Sequence, residues 1–247
     1  MHFVGVESIT ISKKNNIIVY PKNGKVELNK NRSVKLLGDI SVGNFDFNGV
    51  KLHFDYETYL IDLIEIDTLR MMTKNNSKDS YNYLFNIGGD LFINHPKNKS
   101  SRRDLPKFPS FISKKSTKVY FDLPEEYGEE YDSSFYFSID QFQIDSLDKS
   151  GLPKFEFPGT FFSNNIFEPI ETNLVTMPDN SLGFIMNLED NGLPAYKGKI
   201  KTYNNLLMDS TGLYISGNIE YKTTMLFSEK IEEYLTCKTD IWTTKNT

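Results

Sequence analysis

The chain of 247 residues, with 38% of its residues among AVILMFWYC, 25% charged and 14% aromatic, can bury a sizeable core, which excludes a disordered polymer. Its 28 Lys and Arg against 33 Asp and Glu give a net charge of -5, so no global positive field recruits a phosphate backbone, and nucleic acid is not expected as a partner. Cys237 is the one cysteine, which excludes an internal disulfide framework and any cysteine-rich zinc module.

Composition also selects the fold class. Ala195 is the only alanine and Gln141 and Gln143 the only glutamines, whereas the chain carries 19 Phe and 14 Tyr. Ala and Gln favour helices, and aromatic and β-branched residues fit a pleated, half-buried surface. The expected class is all-β or predominantly β, with antiparallel strands in a sandwich or an irregular solenoid-like stack. No apolar run reaches the roughly 20 residues of a membrane helix, so no membrane-spanning segment is expected.

In chain order, strands are expected over Ser8-Ile9-Thr10-Ile11, Ile17-Ile18-Val19-Tyr20, Lys25-Val26-Glu27-Leu28, Phe45-Asp46-Phe47 and Val50-Lys51-Leu52-His53-Phe54. Asn23-Gly24 and Asn48-Gly49 supply the positive φ of tight hairpin turns between them. Residues 57–72 and 227–235 carry apolar residues at mixed three- and four-residue spacings; the first reads as strand because Ile64-Glu65-Ile66-Asp67-Thr68-Leu69 alternates for most of its length, while the second fits either. The polar stretch 73–80 is the one weak break in what otherwise reads as one continuous unit over 1–247. Asp240-Ile241-Trp242-Thr243 closes the chain as another strand-like pattern. Because the chain starts inside one such pattern and stops just past another, it reads as a piece of a longer protein.

Two internal similarities stand out. Residues 61–69 align with 139–147, with five identities in nine, and a Gly, polar, hydrophobic triplet recurs at Gly38-Asp39-Ile40, Gly89-Asp90-Leu91, Gly159-Thr160-Phe161 and Gly217-Asn218-Ile219. The triplets are too irregularly spaced for coils of one fixed length.

The blocks Asn94-His95-Pro96-Lys97-Asn98-Lys99-Ser100, Met177-Pro178-Asp179-Asn180-Ser181-Leu182-Gly183-Phe184, Leu193-Pro194-Ala195-Tyr196-Lys197-Gly198-Lys199 and Thr211-Gly212-Leu213-Tyr214-Ile215-Ser216-Gly217 carry a resemblance. In this order they resemble blocks of very long, uncharacterised β-rich proteins associated with the envelope of Gram-negative bacteria. The resemblance runs from about Val19 to Thr224. It implies an internal piece of a long envelope protein, in the cell envelope, periplasm or outside the cell, and no catalytic residue.

Motifs that carry chemistry are sparse. His2, His53 and His95 have no second ligand at helical spacing, and there is no GxSxG elbow, P-loop or GxGxxG cradle. His95 reads as a loop residue, His53 as an outward strand residue, and Gly88-Gly89-Asp90 as the start of a strand. The densest charge feature holds the candidate binding residues Asp122, Glu125, Glu126, Glu129, Glu130 and Asp132. They read first as a solvated loop, and otherwise as oxygen donors for a hard cation such as calcium, without EF-hand spacing. No metal and no cofactor is assigned to them.

The basic run Lys97, Lys99, Arg102, Arg103 and Lys107 reads as a solvated loop, with an anionic polysaccharide or a lipid headgroup as its alternative ligand. The rings of residues 155–162 read as core before they read as a sugar platform. The functional expectation is a non-enzymatic structural or interaction segment, partnered by neighbouring parts of the same long chain or other envelope proteins. The alternatives are a carbohydrate-active enzyme and a glycan- or lipid-binding module. A cleft with two facing carboxylates would favour the enzyme, an aromatic platform the sugar binder, and an apolar groove the lipid binder.

Overall fold

The computed structural model describes residues 1–75, 78–121, 133–149 and 154–232. Eighteen strands are found among them: β1 (His2–Phe3), β2 (Ile9–Ser12), β3 (Ile17–Pro21), β4 (Val26–Leu28), β5 (Val34–Val42), β6 (Phe45–Asp55), β7 (Leu60–Asn75), β8 (Lys78–Phe92), β9 (Ser110–Ser113), β10 (Thr117–Tyr120), β11 (Phe135–Ile139), β12 (Gln143–Ile144), β13 (Glu156–Ser163), β14 (Ile170–Thr176), β15 (Leu182–Ala195), β16 (Ile200–Asp209), β17 (Gly212–Tyr221) and β18 (Thr224–Glu232). Two short 3-10 turns, Lys22–Gly24 and Pro96–Asn98, are the only helical structure among the described residues. The protein is predominantly β, and among the described residues the strand pairings belong to one antiparallel sheet.

The first half is a meander in which β3, β5, β6, β7 and β8 lie side by side, with β2 outside β3 and β4 carrying β1 beside the start of β5. At β8 the sheet forks. The Gly89–Phe92 end of β8 pairs with β9, which pairs with β12, while Phe85 pairs with Lys118 of β10. From β10 the sheet continues through β11, β13, β14, β15, β16 and β17 to β18.

Period-two alternation decides which side chains face inward. Leu36, Ile40 and Val42 on β5, Phe135, Phe137 and Ile139 on β11, and Phe157 and Phe161 on β13 are all buried. Their rings form a circuit. Phe47 on β6 meets Phe111 on β9 at 5.3 Å between centroids, Phe111 meets Phe142, Phe142 meets Phe157 at 4.9 Å, Phe157 stacks on Phe155, and Phe155 returns to Phe45 on β6. The inner face is therefore rolled on itself, with about 1.5–3 kcal/mol gained per fully buried large apolar side chain. Asn82 on β8 ties the halves together: its Nδ2 donates to the Asn180 carbonyl at 2.9 Å, and its Oδ1 accepts from the Leu182 N–H at 3.2 Å.

The recurring Gly triplets have a physical cause. Gly38, Gly89 and Gly159 sit inside β5, β8 and β13, where an added Cβ would run into the backbone carbonyls of Tyr20, Ile112 and Ser138 on the paired strands. Gly217 in β17 is crowded in the same way by Tyr203 and Asn204. The triplet marks close strand approach and no coil repeat. Nor do residues 61–69 and 139–147 share a structure: the first stretch lies within β7, and the second runs from the end of β11 through β12 into a loop.

Two turn expectations are corrected. Asn48-Gly49 lies inside β6 as a bulge, where the register shifts between Gly38 and Ile40, and the Gly49 N–H donates to Asp39 Oδ1 at 2.8 Å. One extra residue with positive φ on one strand makes a bulge as readily as a hairpin. The two expected strands on either side of it are consequently one. Asn23-Gly24 has the expected positive φ at both residues, but within a 3-10 turn whose flanking strands both pair with β5. Gly88-Gly89-Asp90 lies within β8 rather than at its start. The stretch 57–72 is strand from Leu60 onward, and 227–232 is strand, with 233–235 outside the described residues. Thr73, Lys74 and Asn75 pair with Ser80, Asp79 and Lys78 at the tip of the β7 and β8 hairpin.

Candidate functional site

The six candidate carboxylates Asp122, Glu125, Glu126, Glu129, Glu130 and Asp132, and the strand-like stretch 240–243, lie outside the described residues. The basic loop is a built loop rather than a free arm. The Asn98 amide donates to Asn94 Oδ1 and to the Arg103 carbonyl, and Lys14 Nζ donates to the Ser101 carbonyl at 3.0 Å, docking the loop on the turn between β2 and β3. Lys99 lies 4.4 Å above the Tyr56 ring and 3.7 Å from Glu57. His95 caps the 3-10 turn, with its Nδ1 accepting from the Lys97 N–H, and His53 faces outward from β6. Among the described residues no three His, Cys, Asp or Glu side chains are placed to hold a metal ion.

One pair of carboxylates does face each other, Asp62 on β7 and Asp90 on β8, directly opposite in register. Lys114 bridges them, its Nζ lying 2.6 Å from Asp90 and 3.3 Å from Asp62. The hydrogen bond to Asp90 leads the causes that hold the ammonium above its ordinary pKa. A lysine shared in this way relieves the repulsion of two opposed carboxylates, so the triad locks strands together.

The outward face of β8, β10, β11 and β13 carries a stripe of rings. Tyr83, Phe85, Tyr120, Tyr136 and Phe162 follow one another at centroid spacings of 6.5, 5.3, 6.0 and 4.7 Å. Tyr136 and Phe162 are register partners stacked at 17° between planes, and Lys118 lies 4.0 Å above the Tyr136 ring. Lys118 reaches Tyr136 from β10 and Phe162 stacks on it from β13. Phe162 is the last ring of the stripe.

A cleft of about 560 Å³ opens where the stripe ends. Tyr136 and Phe162 line it together with Pro169 and Pro194, and its polar groups come from Ser134, Asn164, Asn165, Glu168 and Lys197. Two turns form its rim. Asn164 and Asn165 leave β13 with φ of 49° and 65°, and Tyr196, Lys197 and Gly198 connect β15 to β16 with φ of 50°, 58° and 79°. Asn tolerates the left-handed region, whereas Tyr and Lys adopt it only when their surroundings hold them there, and such residues cluster at functional sites. Here the Tyr196 N–H donates to the Ile166 carbonyl at 2.6 Å, and Phe167 bridges to Ala195, fastening the two turns to each other. Its volume falls within the range of small-molecule pockets, and its lining mixes rings and prolines with polar groups.

Phe155, Phe157 and Phe161 are core, as expected for 155–162, and Phe162 is the exception that reaches the surface. Of the stripe, only Phe162 lies in the stretch 155–162 that offers a sugar platform as its alternative reading; Tyr83, Phe85, Tyr120, Tyr136 and the cleft are not singled out by the sequence. Their signal was aromatics at both strand parities, as in Phe135-Tyr136-Phe137 and Phe161-Phe162, since one face of a strand accounts for only every second ring. No protein-family model, curated protein or solved structure matches the chain.

Proposed function

We propose that the chain is a non-enzymatic interaction segment and that a glycan is what it binds, in the cleft at the end of the aromatic stripe. The observation that carries this reading is the ring of Phe162 closing the stripe and lining a 560 Å³ cleft whose rim offers Asn164, Asn165 and Glu168. Sugars present an apolar C–H face and a rim of hydroxyls. A ring wall buries the first, and amides with a carboxylate exchange donors and acceptors with the second.

Glu168 brings a carboxylate to the cleft, an acceptor for sugar hydroxyls. Ring stacking also serves nucleobases, but a chain of net charge -5 lacks the field that gathers phosphates. Placement in a long envelope-associated protein rests on the sequence resemblance, and the glycan reading is compatible with it.

The test is calorimetric titration of the protein with neutral oligosaccharides of increasing length, in parallel with Phe162→Ala. Binding that is saturable in the wild type and weakened about tenfold or more by the substitution supports the reading. Absence of saturable binding by any of them, or equal affinity in the variant, contradicts it.

A further inference from the structure

A second outward site lies at the other end of the sheet, over β1, β4, β5, β6 and β7. It is a groove of about 730 Å³ with a floor and wall of aliphatic and aromatic carbon from Phe3, Val4, Leu37 and Ile64. Leu37 is 54% exposed and Ile64 47%, whereas Leu36, Ile40 and Val42 on β5 and Ile61, Leu63, Ile66, Leu69 and Met71 on β7 are buried. Ile64 is turned out by a bulge. Leu63 pairs with Leu52 and Gly89, but the next paired residues are Glu65 opposite Lys51 and Ile66 opposite Ile87, so Ile64 is the extra residue.

The rim of the groove is cationic, although the chain as a whole is acidic. Lys22, Lys25, Lys35 and Lys51 surround the apolar floor, and none of the four forms an ion pair with another described residue. Glu27 stands opposite Lys35 in register and Glu65 opposite Lys51, which leaves Lys22 and Lys25 as the surplus positive charge. The groove crosses five strands, a span of roughly 19 Å at about 4.8 Å per strand spacing, which suits an extended chain better than a compact ring.

We infer that this groove binds a single-chain anionic amphiphile, a fatty-acid carboxylate whose alkyl chain lies over Leu37 and Ile64 and whose head meets Lys22 and Lys25. Chain burial supplies the affinity, and the lysines select the charged head. This site is separate from the glycan cleft and does not depend on it.

The experiment is calorimetric titration of the protein with laurate below its micellar concentration, alongside acetate, dodecyl maltoside and phosphatidylglycerol vesicles. Laurate should bind saturably at one site, acetate should not bind, and dodecyl maltoside should bind about tenfold more weakly or worse. Ile64→Asn and the double variant Lys22→Gln/Lys25→Gln should each weaken laurate about tenfold, and Phe162→Ala should leave it unchanged. Ile64, Lys22 and Lys25 project from the surface, so far-ultraviolet circular dichroism should confirm unchanged folding in both groove variants. The inference is overturned if laurate shows no saturable site, if it binds no better than dodecyl maltoside, if neither groove variant weakens it, or if the protein binds the vesicles while ignoring laurate.

Discussion

The inner and outer faces of the sheet over β10, β11 and β13 both carry aromatic rings, and the two sets sit in different surroundings. Phe135, Phe137 and Phe161 point inward and are completely buried, whereas Tyr120, Tyr136 and Phe162, one residue along on the same or a paired strand, point outward and stay half-exposed. Phe161 packs against Phe135 at 5.8 Å and Phe184 at 4.9 Å in the core, while its neighbour Phe162 stacks on Tyr136 and lines the cleft. A single step along the chain thus separates a ring buried in the core from one at the surface beside the cleft. In a two-faced sheet parity assigns the role, and residue type alone does not.

The strongest way to break this comparison is to delete the ring on each face. Phe161→Ala should destabilise the protein by about 3–5 kcal/mol, the usual cost of emptying a buried aromatic site. Phe162→Ala should cost about 1 kcal/mol or less, since it removes one cross-strand contact from an outer surface. Denaturant unfolding of the two variants checks both values, and comparable losses would mean that the outer stripe is structural after all.

An intermediate effect is expected at the clamp between the halves. Asn82→Ala removes the two hydrogen bonds to Asn180 and Leu182 and should cost about 1–3 kcal/mol, read by the same unfolding experiment. A loss near zero would show that the rolled core alone holds the β14 and β15 turn in place.

The smallest effect concerns pH. Burial pushes the Asp179 carboxyl up, but hydrogen bonds from the Ser210 hydroxyl and from the Ser181 hydroxyl and N–H outweigh it and hold the group below its ordinary value. A lowered folded value means that the carboxylate contributes stability above the unfolded pKa and loses it as pH falls through the folded one. Melting temperatures of the wild type and Asp179→Asn should therefore differ by a constant amount from neutral pH down to about 4 and converge below it. A difference that persists unchanged at lower pH would contradict the assignment.

Much of the fold was legible because it rests on local chemistry. The scarcity of Ala and Gln sufficed for the class, and the alternation of residues 64–69 for β7. Bulges defeated the finer reading. Asn48-Gly49 and Ile64 have the sequence signature of a turn and of a core residue, and only the register of neighbouring strands, set by contacts far along the chain, makes one a bulge and turns the other to solvent. The cleft was illegible for a related reason. Asn164 and Asn165 meet Lys197 only because the Phe167 and Ala195 bridge brings two distant turns together, a pairing that no local pattern announces.

The central claim is that the outward ring at the end of the stripe recognises a glycan while its inward neighbour only holds the fold. Its most direct measurement is oligosaccharide affinity in Phe162→Ala beside its melting temperature. The expected result is an affinity lowered about tenfold or more with melting little changed. Unchanged affinity in a folded Phe162→Ala protein would contradict the claim.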